Sequence, residues 1–201
     1  MRITGGRLKG RTLTAPTGRD TRPTSDRTRQ AIFNILAHAA WAPVLEGATV
    51  LDAFCGTGAL ALEAISHGAA QATLFDVAAA AVTLAGRNAR ALGLTEAVTI
   101  KRASALRPPP APAGPTNLVF LDPPYATEAH VDAALALTRA GWVGPRSVLI
   151  LERAARRPLE IPPRWINLDS RAYGDSMVEF WQPPNDAHHQ PNEVRHADGS
   201  Q

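Results

Sequence analysis

Five short apolar segments, set 20 to 30 residues apart, constrain the fold of this chain more than any other feature. They occupy residues 49–51, 73–75, 98–100, 118–121 and 148–151. The intervening sequence predicts helices at 59–66, 78–92 and 127–140, each followed by a glycine that can end it. Strands that alternate with helices form a parallel sheet with right-handed crossovers. Because the strands are almost continuously apolar, we expect both faces of the sheet to be covered.

The C-terminal part of this pattern changes direction. Residues 165–169 and 177–181 are typical of two more strands, and the turn Tyr173-Gly174-Asp175 between them is too short for a helix. These strands should therefore pair antiparallel. The sequence predicts an α/β, Rossmann-like fold with a seven-stranded, mostly parallel sheet and a C-terminal antiparallel hairpin.

The N-terminal residues predict a small separate unit. Ile3-Thr4 and Arg7-Leu8 are typical strand residues, and Gly5-Gly6 between them predicts a β-hairpin. Thr24 or Ser25 can cap a helix over 25–38. We therefore divide the chain into a basic hairpin-and-helix appendage at 1–40, an α/β domain at 41–182 and a polar tail at 183–201 that we expect to be disordered.

Composition limits the kind of protein. The chain has 201 residues, 45% of them hydrophobic, and Cys55 is its one cysteine. No apolar run reaches the ~20 residues of a membrane span, and the basic N-terminus is not followed by a signal-peptide core. The histidines do not have metal-ligand spacing. We expect a soluble, cytoplasmic, monomeric protein with no membrane partner and no metal.

Charge is concentrated near the N-terminus. Residues 1–36 contain eight arginines and lysines against two aspartates, whereas the net charge of the whole chain is +3. A basic segment beside a slightly acidic body indicates a polyanionic partner, although a solvated arm that binds nothing has the same composition.

The turn after the first predicted strand carries Asp52-Ala53-Phe54-Cys55-Gly56-Thr57-Gly58. Ligands of open α/β sheets bind at the carboxyl ends of the strands, and glycines let the backbone approach them closely. A helix N-terminus suits a carboxylate, and Asp52 suits a cationic amine. An amino-acid moiety such as methionine fits this pair better than a diphosphate does. The alternatives are that the glycines only permit a tight turn, and that Cys55 is a nucleophile rather than a small filler.

Two further strands end in aspartate. Asp76 follows the second strand, about 20 residues beyond the loop, where an acid can accept from ribose hydroxyls or can cap the next helix. The fourth strand ends in Asp122-Pro123-Pro124-Tyr125. The Asp122 carboxylate and the Pro123 carbonyl could accept from one planar amino group, and Tyr125 could stack on a base. The alternative is a rigid Pro-Pro turn with an aromatic lid.

The predicted helix at 25–38 begins within Arg22-Pro23-Thr24-Ser25-Asp26-Arg27-Thr28-Arg29. Its guanidinium groups could lie along a phosphate backbone. A surface helix in which Asp26 pairs with Arg29 has the same spacing.

Together these motifs resemble one known family. The segments MRITGGRLKGR at 1–11 and RPTSDRTR at 22–29, followed by Phe33-Asn34, resemble the bacterial 16S rRNA guanine-N2 methyltransferases, the RsmD family. The glycine loop, Asp122 to Tyr125 and the turn at 173–176 fit the same family, so the resemblance covers about residues 1–182. The Asp-Pro-Pro-Tyr motif is shared with other amino-methyltransferases, including adenine-N6 enzymes, and the N-terminal signature is the more specific part.

The resemblance implies a class I methyltransferase domain that uses S-adenosylmethionine. It implies methylation of guanine 966 at N2 in 16S rRNA, within a 30S subunit or an assembly intermediate. This sequence differs from the family pattern at two positions. Relatives often have Glu where this chain has Asp76, and they often have Asp or Asn near the position of Ser104. The expected cofactor-binding residues are Asp52, Ala53, Phe54, Gly56, Gly58, Asp76 and Ser104. The expected catalytic residues are Asp122, Pro123, Pro124 and Tyr125. The expected nucleic-acid-binding residues are Arg2, Arg7, Lys9, Arg11, Arg22, Thr24, Arg27 and Arg29.

Two other functions remain open at this point. A DNA or RNA adenine-N6 methyltransferase would share the catalytic motif, but a DNA enzyme would normally need a larger recognition region. A non-catalytic RNA-binding protein with a vestigial cofactor pocket would share the fold. The complete glycine loop and the Asp122 to Tyr125 motif argue against it.

Overall fold

The described residues form one central sheet of seven strands. The computed structural model describes residues 1–15, 25–124 and 129–185. The strands are β1 Thr49–Asp52, β2 Gln71–Asp76, β3 Val98–Arg102, β4 Leu118–Leu121, β5 Val148–Ala154, β6 Ile166–Tyr173 and β7 Ser176–Gln182. Their order across the sheet is β3-β2-β1-β4-β5-β7-β6. Strands β1 to β5 pair in parallel, and β7 pairs antiparallel with both β5 and β6. This confirms the predicted sheet.

Four helices of the described residues cover the sheet. They are α1 Asp26–His38, α2 Ala59–Ser66, α3 Ala79–Ala91 and α4 His130–Arg139. Alternate strand residues divide the core: Phe120 packs with apolar residues of α1, α2 and α3, whereas Val119 packs with those of α4. The strands are therefore apolar along their whole length because each face meets its own layer. The predicted helices agree with these bounds within a few residues, and Ser25 is the cap of α1, since its hydroxyl accepts from the Thr28 N–H at 3.0 Å.

The N-terminal segment turns back on itself, but not in the predicted register. Residues 1–3 pair with 11–13, with the Ile3 N–H donating to the Arg11 carbonyl at 2.9 Å. Gly6–Leu8 is a short 3-10 turn, so the predicted strand at Arg7-Leu8 is wrong. The reason is tertiary: Gly6, at φ +67, approaches so closely that a Cβ would lie 1.9 Å from the Ser66 carbonyl oxygen. The turn is docked on the C-terminal end of α2. We call residues 1–13 the N-terminal loop-back.

A buried carboxylate holds this loop-back against α2. Glu63 is fully buried, and its carboxylate accepts from the backbone N–H groups of Thr4 (2.9 Å) and Gly5 (2.7 Å) and from the Thr4 hydroxyl (2.8 Å). The Arg29 Nε lies 3.6 Å from the same carboxylate. Burial alone would raise the pKa of Glu63, but hydrogen bonds from His67, Thr4 and Gly5 outweigh it and lower that pKa. The loop-back and α1 thus both contact the Glu63 carboxylate of α2.

The loop-back shares its core with the α/β domain. Ile3 and Leu13 are buried in the same apolar cluster as Leu62 and Ile65 of α2. The predicted boundary at residue 40 therefore separates two proposed roles rather than two cores. The expected disorder of 183–201 falls mostly on residues outside the described part of the chain, because only 183–185 are described.

We predict that Glu63→Ala destabilises the fold by about 3–5 kcal/mol, because it leaves the buried Arg29 guanidinium without its anionic partner on α2. Urea unfolding would measure the loss, and amide exchange should rise most over residues 1–13. The exposed Glu96 provides the control, since Glu96→Ala should stay within about 0.5 kcal/mol of wild type. A Glu63→Ala protein as stable as that control would contradict the assigned role of this carboxylate.

Candidate functional site

Four parallel strands bring the predicted site residues to one edge of the sheet. Asp52 pairs with Leu74 on β2 and with Phe120 on β4, so Asp76 and Asp122 each lie two residues further along their strands. Neighbouring strands are about 4.8 Å apart, which puts Asp76 and Asp122 about 10 Å apart with Asp52 between them. Strands β2 and β3 lie on one side of the β1–β4 pair, and β5, β7 and β6 lie on the other. This is the topological switch point where open α/β sheets bind ligands.

The turn after β1 is fixed between both neighbouring strands. The Ala53 N–H donates to the Phe120 carbonyl of β4 at 3.1 Å, and the Cys55 N–H donates to the Phe75 carbonyl of β2 at 2.8 Å. The turn is therefore an extension of the sheet and not a free loop. Burial of the Cys55 thiol raises its pKa, and the neighbouring Asp52 carboxylate adds to that rise. The thiolate is disfavoured, so Cys55 acts as a buried filler and not as a nucleophile.

The two glycines of this turn have different reasons to be glycine. Both have left-handed backbone, with φ +51 at Gly56 and +78 at Gly58. A Cβ on Gly58 would lie 3.0 Å from the Leu74 side chain and 3.3 Å from that of Ala85, whereas a Cβ on Gly56 would meet nothing within 4 Å. Gly58 thus permits close packing of α2 against β2 and α3. Gly56 borders open space, where a ligand can approach the backbone.

Asp52 is a buried carboxyl at this edge. Its side chain is 2% exposed, and its Oδ2 has no hydrogen-bond partner among the described residues. Burial raises its pKa to about 7, the nearby Asp76 adds to this, and the backbone N–H groups of Ala61 and Phe54 oppose it. A buried carboxylate with an unused oxygen would be stabilised by a cationic ligand.

Asp76 uses both carboxylate oxygens within the protein. Oδ2 accepts from the Gly56 N–H at 3.0 Å, and Oδ1 accepts from the Ala78 N–H at 2.9 Å, at the start of α3. Asp76 thus holds the turn that leads into α3, but the N-cap residue of that helix is Ala78, which has no side-chain cap. Each carboxylate oxygen has a second lone pair, so these bonds leave capacity for a ribose hydroxyl.

Two exposed apolar side chains flank the same edge and were not identified from the sequence. Val77 is 62% exposed and follows Asp76 directly, and Leu106 is 46% exposed and lies just beyond β3. Ser104 lies between β3 and Leu106, with its hydroxyl accepting from the Leu106 N–H at 3.2 Å. Such apolar surfaces suit the faces of a planar ring. The available signal was an apolar residue close behind a polar residue at or beyond a strand end, because Val77 follows Asp76 directly and Leu106 lies two positions after Ser104.

The segment after β4 is anchored at its far end. Asp122 is half-buried, Pro123 is buried and Pro124 is exposed, whereas Tyr125 lies outside the described residues. The first residue of α4, His130, is buried, and its Nε2 lies 2.7 Å from the Glu152 carbonyl of β5. That carbonyl requires the His130 Nε2 to be the donor, and burial lowers the pKa of His130, which favours the neutral ring.

The predicted nucleic-acid-binding residues divide into three groups. Arg22 and Thr24 lie outside the described residues. Arg29 is 0% exposed, and it donates to the Asp26 carboxylate at 2.8 Å and to the Arg2 carbonyl. Its predicted contact with phosphate is therefore wrong, because its guanidinium is used inside the fold. The exposed members are Arg2, Arg7, Lys9, Arg11 and Arg27.

Two further cations extend this surface. Arg87 and Arg90 of α3 are exposed, and Arg11 reaches the same helix by donating to the Ala91 carbonyl at 3.0 Å. The sequence prediction missed them because only the fold brings α3 beside the N-terminal loop-back. Within the described ranges, no cluster of three or more His, Cys, Asp or Glu side chains could hold a metal ion. None of the helices described is long and apolar enough to cross a membrane.

Comparison with known proteins gives a consistent result. Residues 1–182 match the model of a family described as conserved hypothetical protein 95. The ribosomal RNA small subunit methyltransferase D of Escherichia coli K12 is 34% identical over 191 residues, which cover 90% of this chain and 89% of that protein. The solved structure of the Escherichia coli protein yhhF superposes with a TM-score of 0.76 at 30% identity, covering 92% of this chain and 98% of that one. A hypothetical protein of Thermus thermophilus superposes with a TM-score of 0.69 at 28% identity, covering 90% of this chain and 98% of that one.

The two glycines offer a matched pair of variants. We predict that Gly56→Ala costs about 1–2 kcal/mol, because it only places a side chain in the left-handed region. Gly58→Ala adds a clash with Leu74 and Ala85, which should cost about 1–3 kcal/mol more. Chemical unfolding of both variants measures the difference. Equal destabilisation would show that Gly58 is not needed for packing.

Asp52 should make stability depend on pH. Its pKa is higher in the folded protein than in the unfolded chain, so between about pH 4 and 7 the folded state binds the extra proton. Stability relative to Asp52→Asn should therefore be highest below pH 4 and fall as pH rises to 7, by roughly 3–4 kcal/mol. Unfolding of both proteins across this range tests it, with Asp175→Asn in an exposed turn as control. A difference that does not change with pH would contradict the buried, protonated carboxyl.

Proposed function

This chain belongs to the RsmD family, whose model is described as conserved hypothetical protein 95, and we propose that it methylates the exocyclic N2 amine of a guanine in 16S rRNA. The methyl donor would be S-adenosylmethionine, and the target would be guanine 966. The observation that carries the proposal is the pairing of β1 with β4. It brings the glycine loop and the Asp122-Pro123 acceptors to adjacent strand ends.

The residues of the edge fit S-adenosylmethionine. The space beside Gly56 admits a ligand against the backbone, and the unused Asp52 Oδ2 is suited to the ammonium group of its methionine part. The N-terminus of α2 faces the same loop and favours a carboxylate. Asp76 would accept from the ribose, while Val77 and Leu106 would cover the faces of the adenine. When bound, the cofactor supplies an electrophilic methyl group.

Asp122 and Pro123 would prepare the nucleophile. The lone pair of an exocyclic amine is delocalised into its ring, so the amine is a weak nucleophile. The Asp122 carboxylate and the Pro123 carbonyl, each accepting one N–H, would orient the amine and localise its lone pair towards the methyl donor. Positioning and electrostatic stabilisation would supply most of the rate. Tyr125 would stack on the base, which must leave its helix at a cost of a few kcal/mol.

The choice of RNA rests on the cationic surface and on family membership. Arg2, Arg7, Lys9, Arg11 and Arg27 are exposed, and Arg87 and Arg90 extend the surface onto α3. These groups would bind phosphates, which fix register without reading bases. The net charge of +3 is small, which suits a target presented on a small-subunit particle rather than naked RNA.

The proposal is tested by transfer of labelled methyl groups to small subunits that lack the modification, to naked 16S rRNA and to DNA. Nucleoside analysis of the product should give N2-methylguanine, at guanine 966, and the particle should be the best substrate. Label in N6-methyladenine, or transfer to DNA alone, would reject the guanine-N2 assignment.

Asp122→Asn tests the catalytic role. We predict a fall in kcat of about 10²–10³-fold, since one preorganised polar contact with the reacting group is lost. The Kd for S-adenosylhomocysteine should change less than about threefold. The exposed Asp132 of α4 provides the control, because Asp132→Asn should transfer methyl groups at the wild-type rate. Normal transfer by Asp122→Asn would show that the carboxylate does not act on the amine.

A further inference from the structure

One buried amide joins the N-terminal loop-back to the cofactor loop. Asn88 of α3 is 1% exposed. Its Nδ2 donates to the Thr14 carbonyl at 3.1 Å and to the Thr57 carbonyl at 3.0 Å, and its Oδ1 accepts from the Thr14 N–H at 2.9 Å. Thr14 directly follows the loop-back, and Thr57 belongs to the glycine loop. The three bonds therefore tie two distant segments to one side chain.

The Thr57 contact fixes the peptide that closes the glycine loop. The carbonyl of the Thr57–Gly58 peptide accepts from Asn88, and its N–H donates to the Cys55 carbonyl at 2.6 Å. The plane of this peptide is thus held from both sides, immediately before α2 begins. Its orientation sets the direction of the loop beside Gly56, so a change at Asn88 reaches the backbone that would meet the cofactor.

The Thr14 contact fixes the loop-back on the other side. The backbone of Thr14 uses both its N–H and its carbonyl on Asn88, so it cannot move without breaking two hydrogen bonds. A second contact supports the same link, because the Thr57 hydroxyl donates to the Met1 sulfur at 3.6 Å. The exposed cations Arg2 and Arg11 lie within the two paired arms of this loop-back. Phosphate bound there would restrain the segment that Asn88 holds.

We infer that Asn88 is a positioning residue that couples RNA binding at the N-terminal loop-back to cofactor binding at the glycine loop. RNA that restrains the loop-back also keeps the Asn88 contacts complete, and the ordered loop then binds the cofactor at a lower entropic cost. Because such coupling is reciprocal, the cofactor raises RNA affinity by the same factor. This inference rests on the proposed function, since it takes RNA and S-adenosylmethionine as the two ligands.

A merely structural role for Asn88 makes a different prediction. If the amide only stabilised the fold, its loss would weaken cofactor binding equally with and without RNA. If Asn88 couples the two sites, its loss instead changes the ratio of the cofactor Kd without RNA to the cofactor Kd with RNA. This ratio is therefore the quantity to measure.

The experiment compares the Kd of labelled S-adenosylhomocysteine without RNA and with saturating small subunits that lack the modification. The wild-type ratio should be about fivefold or more, in the usual range of coupling. Asn88→Ala should reduce it to about one. Asn88→Asp retains the shape of the side chain and the acceptor for the Thr14 N–H, but it loses both donated hydrogen bonds. It should therefore also reduce the ratio.

A matched control loses a comparable bond elsewhere. The Thr116 hydroxyl is buried and donates to the Trp142 carbonyl at 3.2 Å, just before β4 and so at the opposite end of that strand from the site. Thr116→Val should keep the wild-type ratio even if it lowers stability. Amide exchange gives an independent readout, since RNA should slow exchange over residues 55–58 in the wild type and not in the Asn88 variants.

The outcomes separate this inference from the proposed function. Wild-type protein whose S-adenosylhomocysteine affinity does not change with RNA overturns the coupling and leaves the methyltransferase proposal standing. Asn88 variants that keep the wild-type ratio also overturn it. Wild-type protein that binds no S-adenosylhomocysteine overturns both.

Discussion

The buried carboxylate of Glu63 is the interaction on which the rest of the structure depends. A charge inside an apolar helix is tolerated only when its partners are supplied, and here they come from the loop-back and from Arg29 of α1. The same helix begins at the glycine loop, so its position decides where that loop lies. The basic N-terminal residues therefore cannot act as an independent arm. They are bonded to the element that carries the candidate cofactor site.

The fold was predictable where local pattern and tertiary context agree. Apolar strands that end in Asp52, Asp76 and Asp122 are buried on both faces, so their sequence alone identifies them. The predicted register of the loop-back was wrong because the close approach of Gly6 to α2 is a long-range contact that no local pattern records. Arg29 was assigned to RNA although its pairing with Asp26 was the stated alternative. That pair is present, but the burial of Arg29 against Glu63, 34 positions away in the sequence, is a long-range contact of the same kind.

The site shows the same division. The position of Asp52, Asp76 and Asp122 at one edge of the sheet could be predicted from the strand ends, because neighbouring parallel strands end at the same edge. Val77 and Leu106 were missed although a local signal existed, because an exposed apolar residue is informative only once its position beside the edge is known. Asn88 was not predictable at all. Its partners, Thr14 and Thr57, come from segments that the chain order separates by 74 and 31 positions.

The distribution of charge supports separate surfaces for RNA binding and for chemistry under the proposed function. Three aspartates share the edge of the sheet; burial raises the pKa of Asp52, and the charge of Asp76 adds to that rise. This edge favours a cationic ligand and opposes a phosphate. Under the proposed function an RNA substrate would therefore be held elsewhere, and the exposed arginines of the loop-back and α3 are the proposed surface. The turn at Gly6–Leu8 contacts the C-terminal end of α2, about 12 Å from the glycine loop for an eight-residue helix. Under the proposed function, phosphates are bound at the loop-back and α3 while only the extruded base reaches the acidic edge, and the buried contacts of Asn88 are the proposed link between the two.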